Sequence, residues 1–153
     1  MGQDKILIAG GGIGGLATAL ALAQKNIASL VLEKASQLGE IGAGIQLGPN
    51  AFHCFDRLGV GETARKMAVY IDQLRLMDSM ADGEICHIDL GEAFRQRFGN
   101  PYAVVHRGDL HGVLLKGCYE SPLIELRTSS EVVRYEQDSR TVTAVLGNGE
   151  RVC

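Results

Sequence analysis

No stretch of the sequence is apolar for long enough to act as an export signal or to cross a membrane. Ile6 to Ala9 is too short, and the Ala/Leu stretch after it is broken by glycines and Thr18 and ends at Gln24-Lys25. Basic charge is not in excess either. Fifteen Lys and Arg against 18 Asp and Glu give a net charge of -3 and a pI near 5.8, which argues against nucleic acid or an anionic membrane as partner. Cysteine is sparse and scattered. Cys54, Cys86, Cys118 and Cys153 form no Cys-x-x-Cys pair and no small secreted scaffold, so they read as buried or idle thiols of a reducing cytosol, and the expected location is cytoplasmic. There is no internal repeat and no low-complexity tract. With 46% hydrophobic and 22% charged residues, disordered, collagen-like and coiled-coil readings fall away, and 153 residues suit one domain better than two.

Glycine is abundant, with 20 residues concentrated at 10–15 and 39–48 rather than spread as a linker. Lys5 to Ala9 is a continuous apolar run that predicts a strand buried on both faces and central in a parallel sheet. Leu16, Ala19, Leu20 and Ala23 repeat at helical spacing from Gly14 to about Lys25, with Asn26 as terminator. Ser29 to Glu33 reads as a second buried strand, giving a parallel, right-handed βαβ unit over 5–33. Gly39 to Gly48 holds neither period and reads as a loop. Pro49 opens a helix that Gly59 ends, and a short helix covers Glu62 to Met67.

Residues 71–78 and 84–89, joined by Ala81-Asp-Gly83, predict a hairpin of half-buried strands. A strand at Ala103 to His106 leads into a helix from about Gly108 to Cys118. Leu123–Arg127, Glu131–Glu136 and Thr141–Leu146 are further strands, and Asn148-Gly149 predicts a type I′ turn. The return strand has only begun at Cys153, so the chain is expected to be the N-terminal part of something longer.

The chemistry lies in Gly10-Gly11-Gly12-Ile13-Gly14-Gly15, which satisfies G-x-G-x-x-G through Gly10, Gly12 and Gly15. It follows a strand, opens a helix, and is followed eighteen residues after Gly15 by Glu33 at the end of the second strand. Gly10 permits the tight turn, Gly12 lets the main chain approach a diphosphate, and Gly15 allows close packing of helix on strand. The N–H groups of the first helical turn then face the phosphates. Glu33 would accept hydrogen bonds from a ribose and repel a 2′-phosphate, which favours FAD or NAD over NADP.

Together with Val31-Leu-Glu-Lys34, Gly39-Glu-Ile-Gly-Ala-Gly-Ile-Gln-Leu-Gly-Pro-Asn50 and His106-Arg-Gly-Asp-Leu-His111, this fingerprint resembles the single-component FAD-dependent aromatic hydroxylases, in their salicylate hydroxylase and 3-hydroxybenzoate 6-hydroxylase branch. The resemblance covers about residues 4–153. It implies an α/β fold, a Rossmann-like FAD-binding βαβ core with inserted antiparallel strands (about 68–105), truncated before the substrate half and the later cofactor motifs. By the same resemblance Gly10, Gly12, Ile13, Gly14, Gly15, Glu33, Lys34, Gly44, Gln46, Arg107 and Val132 are the expected cofactor-binding residues. Glu33 and Lys34 would lie at the adenosine ribose, Gln46 beside the flavin, Arg107 on the FAD, and the Val132 backbone at the adenine. No catalytic residue and no metal ligand is expected within the chain.

The implied cofactor is FAD, with NADH or NADPH as transient co-substrate. The implied partners are a small aromatic acid and O₂, and self-association into a homo-oligomer is compatible with the reading. Two alternatives stay open: a flavin hydroxylase of the same superfamily acting on another substrate, of kynurenine or urate type, or a non-catalytic nucleotide-binding module. Other groupings read as structural. His106 and His111, five apart, do not share a helical face as metal ligands would. His53 and Cys54 diverge on a helix. Arg95 and Arg97, beside Phe94 and Phe98, read as solvated positions.

Overall fold

In the computed structural model residues 5–39 and 42–153 are described; Glu40 and Ile41 of the Gly39–Gly48 stretch, and residues 1–4, lie outside the described residues. The chain divides into two compact units, Met1–Ile41 with Leu110–Cys153, and Gly42–Asp109.

The first unit begins with β1 (Ile6–Ala9), α1 (Ile13–Ala23) and β2 (Ser29–Leu32), the expected βαβ succession. Asn26 at φ 58 supplies the left-handed residue that turns the chain out of the helix. The parallel sheet runs β1-β2-β8, with β8 (Ile124–Arg127) pairing Ser29 to Ile124 and Leu32 to Arg127. This corrects the expectation that the first strand is central and doubly buried. All four residues of β2 are buried, whereas Ile6 of β1 is 49% exposed. An apolar run reports only that a strand can be buried; strand order decides which one is.

Period-2 alternation divides the faces of β2. Leu30 and Leu32 pack with Ala144 and Leu146, from the antiparallel sheet of β9 (Val132–Gln137), β10 (Val142–Leu146) and β11 (Arg151–Val152). Ser29 and Val31, both at 0% exposure, face the opposite way. The helical layer of this unit buries Leu16, Ala19 and Leu20 of α1 and Leu110, Val113 and Leu114 of the later helix over Arg107–Tyr119, and the Cys118 thiol contacts the Leu16 carbonyl at 3.6 Å. Burial pushes the Cys118 thiol up to about 11, so it is inert at neutral pH.

The turn between β10 and β11 is not type I′, because Asn148 is not among the residues with positive φ. Instead the Gly149 N–H donates to the Leu146 carbonyl and the Leu146 N–H to Glu150, closing a three-residue loop with Gly149 alone left-handed at φ 87. Gly149→Ala should therefore cost about 1 kcal/mol, read as a melting temperature lower by about 3 °C.

In the second unit β3 (Gly44–Leu47) pairs antiparallel with β7 (Ala103–His106), which also pairs with β4 (Val69–Tyr70). The loop expected over 39–48 is thus in part a strand. Its glycine and glutamine occupy the outward positions and only Ile45 and Leu47 point inward, too few to show a period. Helices α2 (Pro49–Arg57) and α3 (Gly61–Met67) follow, and Gly59 at φ 79 turns the chain between them. Phe52 and Phe55 pack edge to face with centroids 6.2 Å apart. Arg65 grips Asp56 through two hydrogen bonds of 2.5 and 2.7 Å, reaches the buried Asn100 at 2.7 Å and lies over the Phe52 ring.

The expected hairpin is present as β5 (Gln73–Met77) and β6 (Glu84–Asp89), closed through Asp82 at φ 48. It is not half-buried: every residue of β6 is exposed, and Leu74, Leu76 and Ile88 share an uncovered apolar face. Alternation specifies which face wants cover but does not supply it. Arg95, on α4 (Glu92–Phe98), is not simply solvated. It pairs with Asp72 at 2.8 Å and lies over the Tyr70 ring, whereas Arg97 is exposed against Phe98.

Candidate cofactor-binding site

The chain turns from β1 into α1 through Gly10 at φ 101, a conformation L side chains rarely adopt. The Gly10 N–H donates to the Leu32 carbonyl, tying the turn to β2. A Cβ at Gly15 would lie 1.9 Å from the Gly10 carbonyl oxygen, a main-chain atom, so the turn closes only without it; one at Gly11 would meet Leu38 Cδ2 at 2.3 Å, the end of a side chain that can turn aside. At Gly14 a Cβ would meet nothing within 4 Å. No side chain caps α1 at Gly12 and no acidic residue stands in its first turn. The N–H groups of Ile13, Gly14 and Gly15 therefore have no intrahelical acceptor, and the positive end of the helix faces the turn.

Glu33, just past β2, is fixed through its backbone and its side chain. Its N–H donates to the Arg127 carbonyl and its own carbonyl accepts from the Ser130 N–H. Its carboxylate accepts from the Gly11 N–H at 2.6 Å and the Ala35 N–H at 2.8 Å. The Ala35 N–H, then the Gly11 N–H and the Lys34 charge, hold its carboxyl below the usual value against the opposing effect of burial. A charged, immobile acceptor results.

Glu33 also separates two concavities. One, of about 170 Å³, is lined by Gly11, Gly12, Glu33, Gln37, Leu38, Gly39 and His111. The other, of about 280 Å³, runs past Gly10, Leu32, Lys34, Ser130, Glu131 and Val132. The first unit thus brings Gly10, Gly12, Glu33, Lys34 and Val132 onto adjoining grooves, with Ile13, Gly14 and Gly15 in the helical turn beside them. In the second unit Gly44 and Gln46 share the outward face of β3, where Gln46 Oε1 accepts from the Tyr102 hydroxyl at 2.7 Å. Arg107 opens α5 (Arg107–Tyr119), its N–H donating to Ala43 and its stem lying over Gly42, where a Cβ would come within 3.1 Å.

Two residues escaped the sequence reading. Gly11 is the unnamed position of the fingerprint, yet its N–H meets Glu33 and its carbonyl meets His111. His111, read there only as half of an unconvincing metal pair, is 2% exposed and its Nε2 contacts the Gly11 carbonyl at 2.7 Å. A signal existed: His111, Leu114 and Cys118 follow the i, i+3, i+7 rule for one buried helical face. Among the described residues no group of three or more His, Cys, Asp or Glu could hold a metal ion, and no helix is long and apolar enough to cross a membrane.

The family model described as "FAD binding domain" matches residues 3–151. The chain belongs to this family. Among curated proteins, the chain is 56% identical over 147 residues to 3-hydroxybenzoate 6-hydroxylase 1 of Aquipseudomonas alcaligenes, aligning 96% of this chain with 37% of that protein. It is also 56% identical over 138 residues to 3-hydroxybenzoate 6-hydroxylase of Polaromonas naphthalenivorans (strain CJ2), aligning 90% with 34%. The chain spans little more than a third of the length of these relatives.

Among solved structures, p-nitrophenol 4-monooxygenase PnpA from Pseudomonas putida DLL-E4 superposes with a TM-score of 0.85 at 24% identity, covering 98% of this chain and 38% of that one. Klebsiella pneumoniae HpxO, solved with FAD and uric acid, gives 0.81 at 27%, covering 97% and 36%. The α/β fold and the partial span are thereby shown. An FAD binding domain must offer N–H donors to two phosphates and a fixed acceptor to a ribose. The uncapped first turn of α1 and the anchored Glu33 carboxylate are groups of that kind, and the residues fit the cofactor.

Proposed function

We propose that this chain is the FAD-holding, N-terminal part of a flavin-dependent monooxygenase that hydroxylates a phenolic aromatic acid of the 3-hydroxybenzoate type, using NADH or NADPH and O₂. The observation that carries the cofactor half is the Glu33 carboxylate fixed between two backbone N–H groups beside the uncapped start of α1. The substrate class rests on the 56% identity to two 3-hydroxybenzoate 6-hydroxylases over nearly the whole chain.

In this reading the N–H groups of Gly12 to Gly15 hold the diphosphate and Glu33, assisted by Lys34, holds the adenosine ribose. Val132 lines the adenine groove. Gly44, Gln46 and Arg107 are proposed as cofactor contacts contributed by the second unit. Bound FAD would supply the redox chemistry that passes reducing equivalents from nicotinamide to O₂; the residues of this chain bind and orient it and exclude water. No group here is assigned to proton transfer on the substrate, so the chain by itself should bind FAD without turning over 3-hydroxybenzoate.

Titration of the purified full chain with FAD, followed by quenching of flavin fluorescence, with NADH oxidation assayed in the same sample, tests both halves. Saturable quenching without 3-hydroxybenzoate-dependent NADH consumption is expected. Absence of quenching would remove the cofactor assignment, and substrate-dependent turnover would show that the catalytic groups lie within these residues after all.

A further inference from the structure

We infer that His111 is a positioning residue that sets the direction of the Gly12 N–H in the glycine turn. For the affinity arm of its test the inference rests on the FAD reading above; its structural arm does not. His111 is 2% exposed, on the face of α5 that buries Leu114 and Cys118. A polar ring so placed costs stability unless it is hydrogen-bonded, and its Nε2 lies 2.7 Å from the Gly11 carbonyl oxygen. A carbonyl only accepts, so Nε2 carries the proton and donates.

The consequence follows from the planarity of the peptide group. The Gly11 carbonyl and the Gly12 N–H belong to one peptide unit, no peptide bond among the described residues is cis, and in a trans unit the two groups point in opposite directions. Drawing the carbonyl toward α5 therefore aims the Gly12 N–H the other way. The preceding unit is held independently, since its Gly11 N–H donates to Glu33 Oε2 at 2.6 Å. Two consecutive peptide planes in a run of glycines, where the backbone has the most freedom to lose, are thus each fixed by one side chain. His111 holds the second from a helix about a hundred positions away in sequence, and the Cys118 to Leu16 contact keeps that helix against α1.

The experiment compares the full chain with His111→Leu, which fills the site without a donor, and His111→Gln, whose side-chain N–H reaches about as far as Nε2. His111→Leu should change the residual dipolar coupling of the Gly12 N–H, which reads the direction of that bond, and weaken FAD binding by about tenfold. His111→Gln should keep the parent's Gly12 coupling and hold FAD affinity within about threefold of the parent. If His111→Leu does not fold, His111→Gln against His111→Asn puts the same question, because asparagine carries the same donor one methylene short. Loss in asparagine and retention in glutamine supports the assignment. An unchanged Gly12 coupling in His111→Leu, or equal loss in glutamine and leucine variants that melt like the parent, overturns it. Where the parent itself fails to bind FAD, the cofactor reading falls, and the Gly12 coupling alone decides the role of His111.

Discussion

Gly15→Ala should lose about 3 kcal/mol of folding stability, a fall of about 10 °C in melting temperature. The added Cβ would stand 1.9 Å from the Gly10 carbonyl oxygen and 3.1 Å from its carbon, with Ile8 Cγ2 at 3.4 Å. Two of these three atoms are main chain. A flexible side chain could swing aside, but here the start of α1 must separate from the end of β1, and the Gly10 N–H bond to Leu32 resists that shift. The neighbouring Gly14→Ala is the control. Its Cβ meets nothing within 4 Å and alanine favours the helix, so stability should hold or rise by up to about 1 kcal/mol. Thermal melts of the two variants check the contrast, and a Gly15→Ala protein that melts with its parent would mean that helix and strand do not approach so closely.

Glu33→Ala should weaken FAD binding by about a hundredfold, the order expected when charge-assisted hydrogen bonds to a ribose are lost along with the group that holds the Gly11 N–H. Isothermal titration with FAD checks the size, and unchanged affinity would detach Glu33 from the adenosine. Glu33→Gln separates charge from shape. Because the Ala35 N–H and then the Gly11 N–H lower the carboxyl in the folded chain, its stabilising contribution is full above the ordinary value of 4.5 and is lost as the pH falls below that, through the depressed folded value. The acid limb of the stability curve should therefore be shallower in Glu33→Gln than in the parent, and parallel curves would deny the linkage.

Where local chemistry decided the fold, the sequence was sufficient to read it. The turn at Gly10, the left-handed exits at Asn26 and Gly59, and the Pro49 start of α2 each follow from what one residue type can do. Partnership was harder to see. Nothing in Ile6–Ala9 states that β2 rather than β1 will be flanked on both sides, since that depends on Ile124–Arg127. The β3 strand becomes legible only once Ala103–His106 lies beside it. The same limit applies at the site. Gly10, Gly12, Gly15 and Glu33 declare themselves by spacing, whereas His111 meets Gly11 only through the packing of α5 on α1.

The order of assembly follows from the place of β2. As the polypeptide leaves the ribosome, β1, α1 and β2 emerge together, but Ser29 must wait for Ile124 before its second edge is covered. The whole Gly42–Asp109 unit is translated in between. Throughout that interval a four-residue strand, three of its residues apolar, offers a bare row of backbone donors and acceptors to any other extended chain, which makes this the stage at which newly made copies are most prone to stick to one another or to need a chaperone.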